Sequence, residues 1–309
     1  MCRWGRLPKS YLLVFSRVSD LLLSEFLHKT LNLFFPQWQG SARFELYAVA
    51  KLLYDFLRDR ISFSQIPISL TYSLVADENI LGYSQIFSQL LDACQVIQFH
   101  NPERILTIGG DCGVEIAPIS FLNKRYDQSL MVIWLDAHGD LNTPSSSPSS
   151  HFHGMPLRVS LGEGDTSILN HTFSTLFPEQ VFLIGARELD SPESCFIQQK
   201  ELSIFSAKTI NDGNFGKLIS ELCRIGSDKL YIHLDLDVIE PEEFPHVACP
   251  TPDGISIDRL RDLLVSLKSK FDIVGFSVLE FLPVGSKDLA ALEIIKLFDS
   301  VNLPLLSAV

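Results

Sequence analysis

The sequence predicts an α/β fold, a single three-layer domain in which a central, mostly parallel sheet is flanked by helices. Short apolar runs of the length and β-branched content of buried strands recur along the chain, and between them lie segments whose apolar residues fall at helical spacing. That alternation implies βαβ units and a parallel sheet covered on both faces. No linker, internal repeat or long low-complexity region divides the 309 residues, which suffice for one large core.

Taken in order, "MCRWGRLPKSYLLVFSRVSDLLLSEF" begins basic and turns apolar. Arg17 and Asp20 interrupt the apolar stretch and no small-residue cleavage site follows, so residues 1–29 are expected to form an amphipathic helical extension, not a secretory signal. The domain proper is expected over 30–309. "LNLFF" is strand-like and stopped by Pro36; "ARFELYAVAKLLYDFL" and "NILGYSQIFSQLLDACQVIQF" are helical. "RILTIGG" is a strand ended by glycines, "IAPISFLNKRY" a helix, and "SLMVIWLDAH", "QVFLIGAR", "KLYIHLDLD" and "DIVGFSVLEF" are strands. "FGKLISELCRI" and "SIDRLRDLLVSLKSKF" are helices with a period near 3.6.

Charge and cysteine usage exclude several classes of function. A net charge of −12 with no basic run argues against nucleic-acid binding, which needs clustered Lys and Arg. No uncharged stretch reaches membrane-spanning length. The 6 cysteines form no C-x-x-C pair and read as reduced thiols of a cytoplasmic protein.

Ionisable residues gather at strand ends. "VIWLDAHGD" presents Asp136, His138 and Asp140; "YIHLDLD" presents Asp235 and Asp237; "GFSVLEF" ends in Glu280, and "ILTIGGDC" in Asp111 and Cys112. Residues two apart on an extended strand share a side, so the acids within each run are expected to converge. Four carboxylates brought together without a cation repel and raise one another's pKa. Four acids and one imidazole are too many for one tetrahedral zinc but suit two hard cations sharing carboxylates. A lone strand-end Asp is usually a turn former or helix cap; several acidic strand ends in one chain carry more weight. His233 reads as a core residue, and Glu240, Glu242 and Glu243 as a solvated loop. The Ser/Pro-rich segment Asn142 to Pro156 has a linker's composition, but it follows a strand end, where α/β sheets bind ligands.

"GGDC", "DAHGD", "HGMP" and "DLDVIEP" resemble the arginase/agmatinase (ureohydrolase) family, whose motifs read GGDH, DAHxD, HG and DxDxxDP. The resemblance runs from about "FFPQWQGS" to the C-terminus. It implies an arginase-like fold and two divalent metal ions, Mn²⁺ in the family, sharing a hydroxide that attacks the guanidinium carbon and releases urea. Asp136 and Asp235 would bridge the metals, Cys112 and Asp140 would complete one site, and His138 and Asp237 the other. Asp140 would also orient the hydroxide. His153 matches the family's proton shuttle, and Glu280 the acid that pairs with the guanidinium. Asn142 and Ser149 fall where arginases hold the substrate α-carboxylate, and Asp190 and Glu193 where they contact the α-amino group. The resemblance thus favours arginine or a close derivative over agmatine or another guanidino acid, and a homo-oligomer, trimer or hexamer.

The chain departs from the family at several positions. Cys112 replaces the first metal histidine, and a thiolate shifts preference towards Zn²⁺ or Fe²⁺. Glu240 replaces an aspartate, Cys249 a threonine near the substrate, and His151 an asparagine. Cysteine at the first-ligand position also occurs in hydroxyarginine amidinohydrolases, making N-hydroxy-arginine a rival substrate. A non-catalytic binding or scaffold protein is the alternative of another class; His153 and Glu280 argue against it.

Overall fold

Apolar runs too short and too β-branched for helices become strands here because each can bury both faces. The computed structural model describes residues 30–285 and 287–301. The extension expected over residues 1–29 lies outside the described residues. In chain order the strands are β1 (Thr30–Phe35), β2 (Ser64–Gln65), β3 (Ala76–Asp77), β4 (Ile80–Leu81), β5 (Arg104–Gly109), β6 (Met131–Leu135), β7 (Val181–Ile184), β8 (Ser203–Phe205), β9 (Lys229–Asp235) and β10 (Asp272–Leu279). Eight form one sheet in the order β2-β1-β5-β10-β9-β6-β7-β8, with every neighbouring pair parallel. β3 and β4 make a separate antiparallel pair.

Alternation along the strands divides the interior into two cores, one per face. Met131, Ile133 and Leu135 enter one; Val132 and Trp134 enter the other. Neighbouring β9 does the same, with Ile232 and Leu234 on one side and Tyr231 on the other. Helices then cover each face with an apolar stripe. Helix Glu45–Leu57 buries Leu46, Val49, Ala50, Leu53 and Leu57, at the spacing that aligns residues on one side of a helix. Helix Ile257–Lys268 buries Leu260, Leu263, Leu264 and Leu267, and the side chain of Ser256 caps its start by accepting the Arg259 N–H.

Every strand and helix expected from the patterns over 30–285 forms. Several elements carry no run that predicts them, among them β2, β8 and helix Ser191–Lys200. The two strands are short edge pieces without a recognisable run. The helix has an almost unpatterned surface, but its start carries a legible signal. Asp190 and Glu193 form a capping box around Pro192, and D-x-x-E with a proline inside marks a helix N-terminus.

Strand order positions the site. β5, β10, β9 and β6 are consecutive in the sheet although far apart in sequence. Because all four are parallel, their carboxyl ends lie along one edge, the usual location of ligands in open α/β sheets. That edge collects Cys112, Glu280, Asp235, Asp237 and Asp136.

Close approach at the sheet centre requires glycine. A Cβ on Gly275 would stand 2.0 Å from Cδ2 of Tyr231 on β9, at a point where the β9–β10 register shifts. Gly275→Ala is therefore expected to destabilise the protein by about 1–3 kcal/mol, the usual cost of forcing volume into a packed core. A lowered denaturant midpoint at unchanged m-value would register it, and an unchanged midpoint would refute it.

Candidate metal centre

The acids converge through turns at the strand ends, not through continued extended strand. β6 stops at Leu135, and the next residues turn so that the His138 N–H donates to Asp136 Oδ1 at 2.6 Å. Asp140 adopts φ 52° and Glu280 φ 58°. Left-handed backbone at a residue other than glycine costs on the order of 1–3 kcal/mol and concentrates at functional sites. Asp235 ends β9 and accepts the Asp237 N–H at 2.8 Å, so it caps the turn that holds Asp237. Asp237 in turn accepts the Ala137 N–H at 3.0 Å, joining the two turns. Behind β5, a Cβ on Gly110 would stand 1.8 Å from the carbonyl oxygen of Gln37, which explains the paired glycines before Asp111.

Three overlapping groups of side chains result, each with its ligand atoms within 4.8 Å of one another: Asp136, His138 and Asp237; Cys112, Asp235 and Glu280; and Cys112, Asp136, Asp140 and His233. His138 Nδ1 lies 3.1 Å from Asp237 Oδ2 and 3.3 Å from Asp136 Oδ1. The Cys112 thiol donates to Asp235 Oδ2 at 3.3 Å. Above them, the Cys112 N–H donates to Glu280 Oε1 at 3.2 Å, and His153 Nδ1 stands 3.4 Å from that oxygen.

The electrostatics are those of a site built for positive charge. Asp136, Asp140, Asp235 and Asp237 are each 4% exposed or less. Burial, then the negative charge of Asp136, pushes the Asp140 carboxyl well above its usual range; burial, then Asp237 and Asp136, does the same to Asp235. Asp237 rises through burial and Asp136. Asp136 moves the other way: burial opposes its charge, but its contacts with His138 and His233 outweigh burial. Burial likewise opposes a charged His138, and Asp136 and Asp237 overcome it. Burial, then Asp235, raises the Cys112 thiol. Asp140 Oδ2 and Glu280 Oε2 are buried without a hydrogen-bond partner. Stacked acids with orphaned oxygens, one imidazole and one thiol are a donor set that fits divalent cations.

A cavity of about 360 Å³ opens over the cluster. Every site residue expected from the sequence lines it except Asp136, which lies beneath at 1% exposed. Asn142 Nδ2 donates to Asp190 Oδ2 at 2.9 Å, and Asn142 Oδ1 accepts from the Ser146 hydroxyl at 2.9 Å. Ser149 Oγ accepts the His151 N–H at 3.2 Å. Glu193 is committed to the main chain: one oxygen accepts from Leu141 at 3.0 Å and the other from Asp190 at 2.8 Å. The His151 and His153 rings lie 5.9 Å apart, and Cys249 is half-buried in the wall. A larger depression of about 810 Å³ lies at the opposite strand ends, beside Lys229 and Asp272, which pair at 2.9 Å. Its size does not make it the site; no cluster of ligating groups faces it among the described residues.

His233 and Glu115 were not anticipated as part of this site. His233 is fully buried, as a core residue should be, but its ring edge reaches the acids. Nε2 lies 3.5 Å from Asp136 Oδ2 and 3.8 Å from Cys112 Sγ, while Nδ1 lies 2.8 Å from Glu115 Oε1. The signal was present in Y-x-H-x-D along β9, whose alternate residues share a face.

Fold and site together define a single-domain α/β protein with a buried, acid-rich cluster able to hold divalent metals at the carboxyl edge of its sheet. Residues 59–300 match the model of the arginase family, and the chain belongs to that family. It is 37% identical to the arginase of Bacillus subtilis (strain 168) over 184 residues, 58% of this chain and 61% of that protein. The aligned stretch thus spans about three-fifths of that curated relative. The structure resembles an Entamoeba histolytica arginase in complex with L-ornithine, with a TM-score of 0.78 at 21% identity over 89% of this chain and 98% of that one. It also resembles the Bacillus subtilis arginase, with a TM-score of 0.75 at 27% identity over 88% and 98% of the two chains. No helix among the described residues is long and apolar enough to cross a membrane.

Proposed function

We propose that the protein is a metal-dependent amidinohydrolase that cleaves a linear guanidino C–N bond, releasing urea from arginine or a close derivative such as N-hydroxy-arginine. The observation that carries this reading is the convergence of Asp136, Asp140, Asp235, Asp237 and His138 directly beneath the Glu280–His153 pair in one cavity. Two divalent ions, Mn²⁺ or, given Cys112, Zn²⁺ or Fe²⁺, would supply the charge that lowers the pKa of a water and makes a nucleophile available near neutral pH.

The chain's own residues do the rest. Asp136, Asp235, Cys112, Asp140, His138 and Asp237 would hold the ions. Glu280 accepts the planar guanidinium, a cation matched to a carboxylate, and its unpartnered Oε2 is available for that bond. Asp140 orients the attacking water by accepting a hydrogen bond from it. His153 gives a proton to the departing amine as the C–N bond breaks. Burial works against a charged His153, yet its contact with Glu280 raises its pKa, favouring the protonated form that this step needs. At the rim, Asn142 and Ser149 take the α-carboxylate, with His151 beside them. Asp190 takes the α-amino group, Glu193 fixes Asp190 from behind, and Cys249 packs against the side-chain methylenes.

Urea release by protein loaded with Mn²⁺, Zn²⁺ or Fe²⁺ tests the reading. Arginine and N-hydroxy-arginine are expected to be turned over, and agmatine and guanidinobutyrate, which lack the α-amino-acid head, are expected to be poor substrates. Silence on all four by fully loaded protein overturns it. The same reading carries a homo-oligomer, a trimer or hexamer, in the cytoplasm, and sedimentation measures the first.

A further inference from the structure

We infer that His233, held by Glu115, is a ligand of the metal position lined by Cys112 and Asp140, giving that position a sulfur–nitrogen–oxygen donor set unlike its oxygen-rich neighbour. This rests on the metal-dependent reading above and deepens it. Cys112 Sγ, His233 Nε2 and one oxygen each of Asp136 and Asp140 lie within 4.8 Å of one another. Ligands around a tetrahedral ion such as zinc sit about 3.3–3.8 Å apart, given bonds of roughly 2.0–2.3 Å. His233 Nε2 is 3.5 Å from Asp136 Oδ2 and 3.8 Å from Cys112 Sγ.

The alternative is a core histidine satisfied by two acids. The two ring nitrogens distinguish the cases. Nδ1 makes a full hydrogen bond to Glu115 Oε1 at 2.8 Å, whereas 3.5 Å from Nε2 to Asp136 is long for a charge-assisted bond, normally about 2.7–2.9 Å. One nitrogen is bonded and the other is spaced as if around an ion. A carboxylate on one nitrogen of an imidazole, with its other nitrogen turned to a metal, is the usual outer support of a histidine ligand.

That support is unusually complete. Glu115 also accepts from the hydroxyls of Tyr231 and Ser277 and is fully buried. With Nδ1 engaged by Glu115, the ring turns Nε2 towards Cys112 and Asp136. Trp134 stacks on the ring with centroids 3.6 Å apart and planes at 11°, fixing its orientation, and donates its own N–H to Asp136 Oδ2 at 3.1 Å. Thiolate plus imidazole favours zinc, iron(II) or cobalt over manganese at this position. The position formed by Asp136, His138 and Asp237 keeps the harder set.

Metal binding by the full chain, read without an activity assay, tests the inference. Wild-type protein is titrated with Co²⁺, with metal content, the thiolate charge-transfer absorption and hyperfine-shifted imidazole N–H resonances recorded. Two equivalents are expected, with a shifted Nδ1–H resonance assigned to His233. His233→Ser should weaken the thiolate-containing position by at least 100-fold and remove that resonance while the other position still fills. Glu115→Gln should weaken the same position by about 10–100-fold. Circular dichroism of the metal-free variants checks folding. Should His233→Ser fail to fold, the wild-type resonance alone decides: its absence in two-metal protein overturns the inference. Two equivalents bound by folded His233→Ser with unchanged affinity and absorption also overturn it, leaving the hydrolase reading intact. Wild-type protein that takes up no divalent ion overturns both.

Discussion

Asp136→Asn will empty the metal centre while leaving the fold standing. Asp136 belongs to both groups of ligands that contain a histidine, accepts the His138 N–H at 2.6 Å and the Trp134 indole N–H at 3.1 Å, and lies within reach of both His138 and His233. Asparagine keeps the shape and one accepting oxygen, so packing is preserved. Of the four clustered aspartates it removes the one whose pKa is lowered, burial being outweighed by its contacts with His138 and His233. Losing a partner outside the ligand shell commonly costs 10–100-fold in metal affinity or activity. Losing a residue proposed to hold both ions should exceed that, by more than roughly 100-fold in each. Metal analysis after dialysis and a urea assay measure the two effects, and a thermal melt of the metal-free forms controls for folding. An Asp136→Asn protein that retains both ions and most of its rate would remove the central ligand from this account.

Stripping the metals will make the protein lose stability as pH rises from 5 to 8, and restoring them will reverse the slope. In the metal-free state Asp140, Asp235, Asp237 and Asp111 all have raised carboxyl pKa values, and burial is the leading cause for each. Asp111 is pushed up to about 7 by burial and the neighbouring Glu280. A carboxyl raised above its unfolded value of about 3.9 binds more protons folded than unfolded in the interval between. Its contribution is complete below the unfolded pKa and lost as pH rises through the folded one. His138, His153 and His233 are raised as well, against the opposing effect of burial, by their carboxylate partners. They act in the same direction above about pH 6.5. Asp136, lowered, works the other way, but its window lies below about pH 4 and does not enter the range. Divalent ions replace those protons, and their ligands must be deprotonated, so affinity grows with pH. At about 100 times the dissociation constant, bound metal adds roughly 2.7 kcal/mol. Melting temperatures with and without chelator across this range give the answer. A chelated protein that gains stability towards pH 8 would contradict the raised carboxyl pKa values of the cluster.

The legible part of the site was the part written locally. DAHGD and DLD announce paired candidate ligands within a few residues, and HFHGMP follows on the loop after the same strand end as DAHGD. Their geometry was not local. The acids of DAHGD meet because the chain turns after Leu135, not because a strand continues, and Asp235 is at once a cap for its own turn and part of the cluster. Glu193 reads as a substrate contact by position, yet the fold spends both of its oxygens on main-chain N–H groups.

By itself the sequence determined the fold class, the alternation of buried strands and apolar-striped helices, and the identity of most acids at strand ends, because periodicity and turn chemistry act over a few residues. Only the tertiary structure decided that β10 and β9 enter between β5 and β6. That order brings Glu115, Tyr231, His233 and Ser277 into one buried network beneath Cys112. Strand order is set by which faces pack against which helices across the whole chain, so an imidazole that reads as core from its own strand becomes part of a charged site through its neighbours.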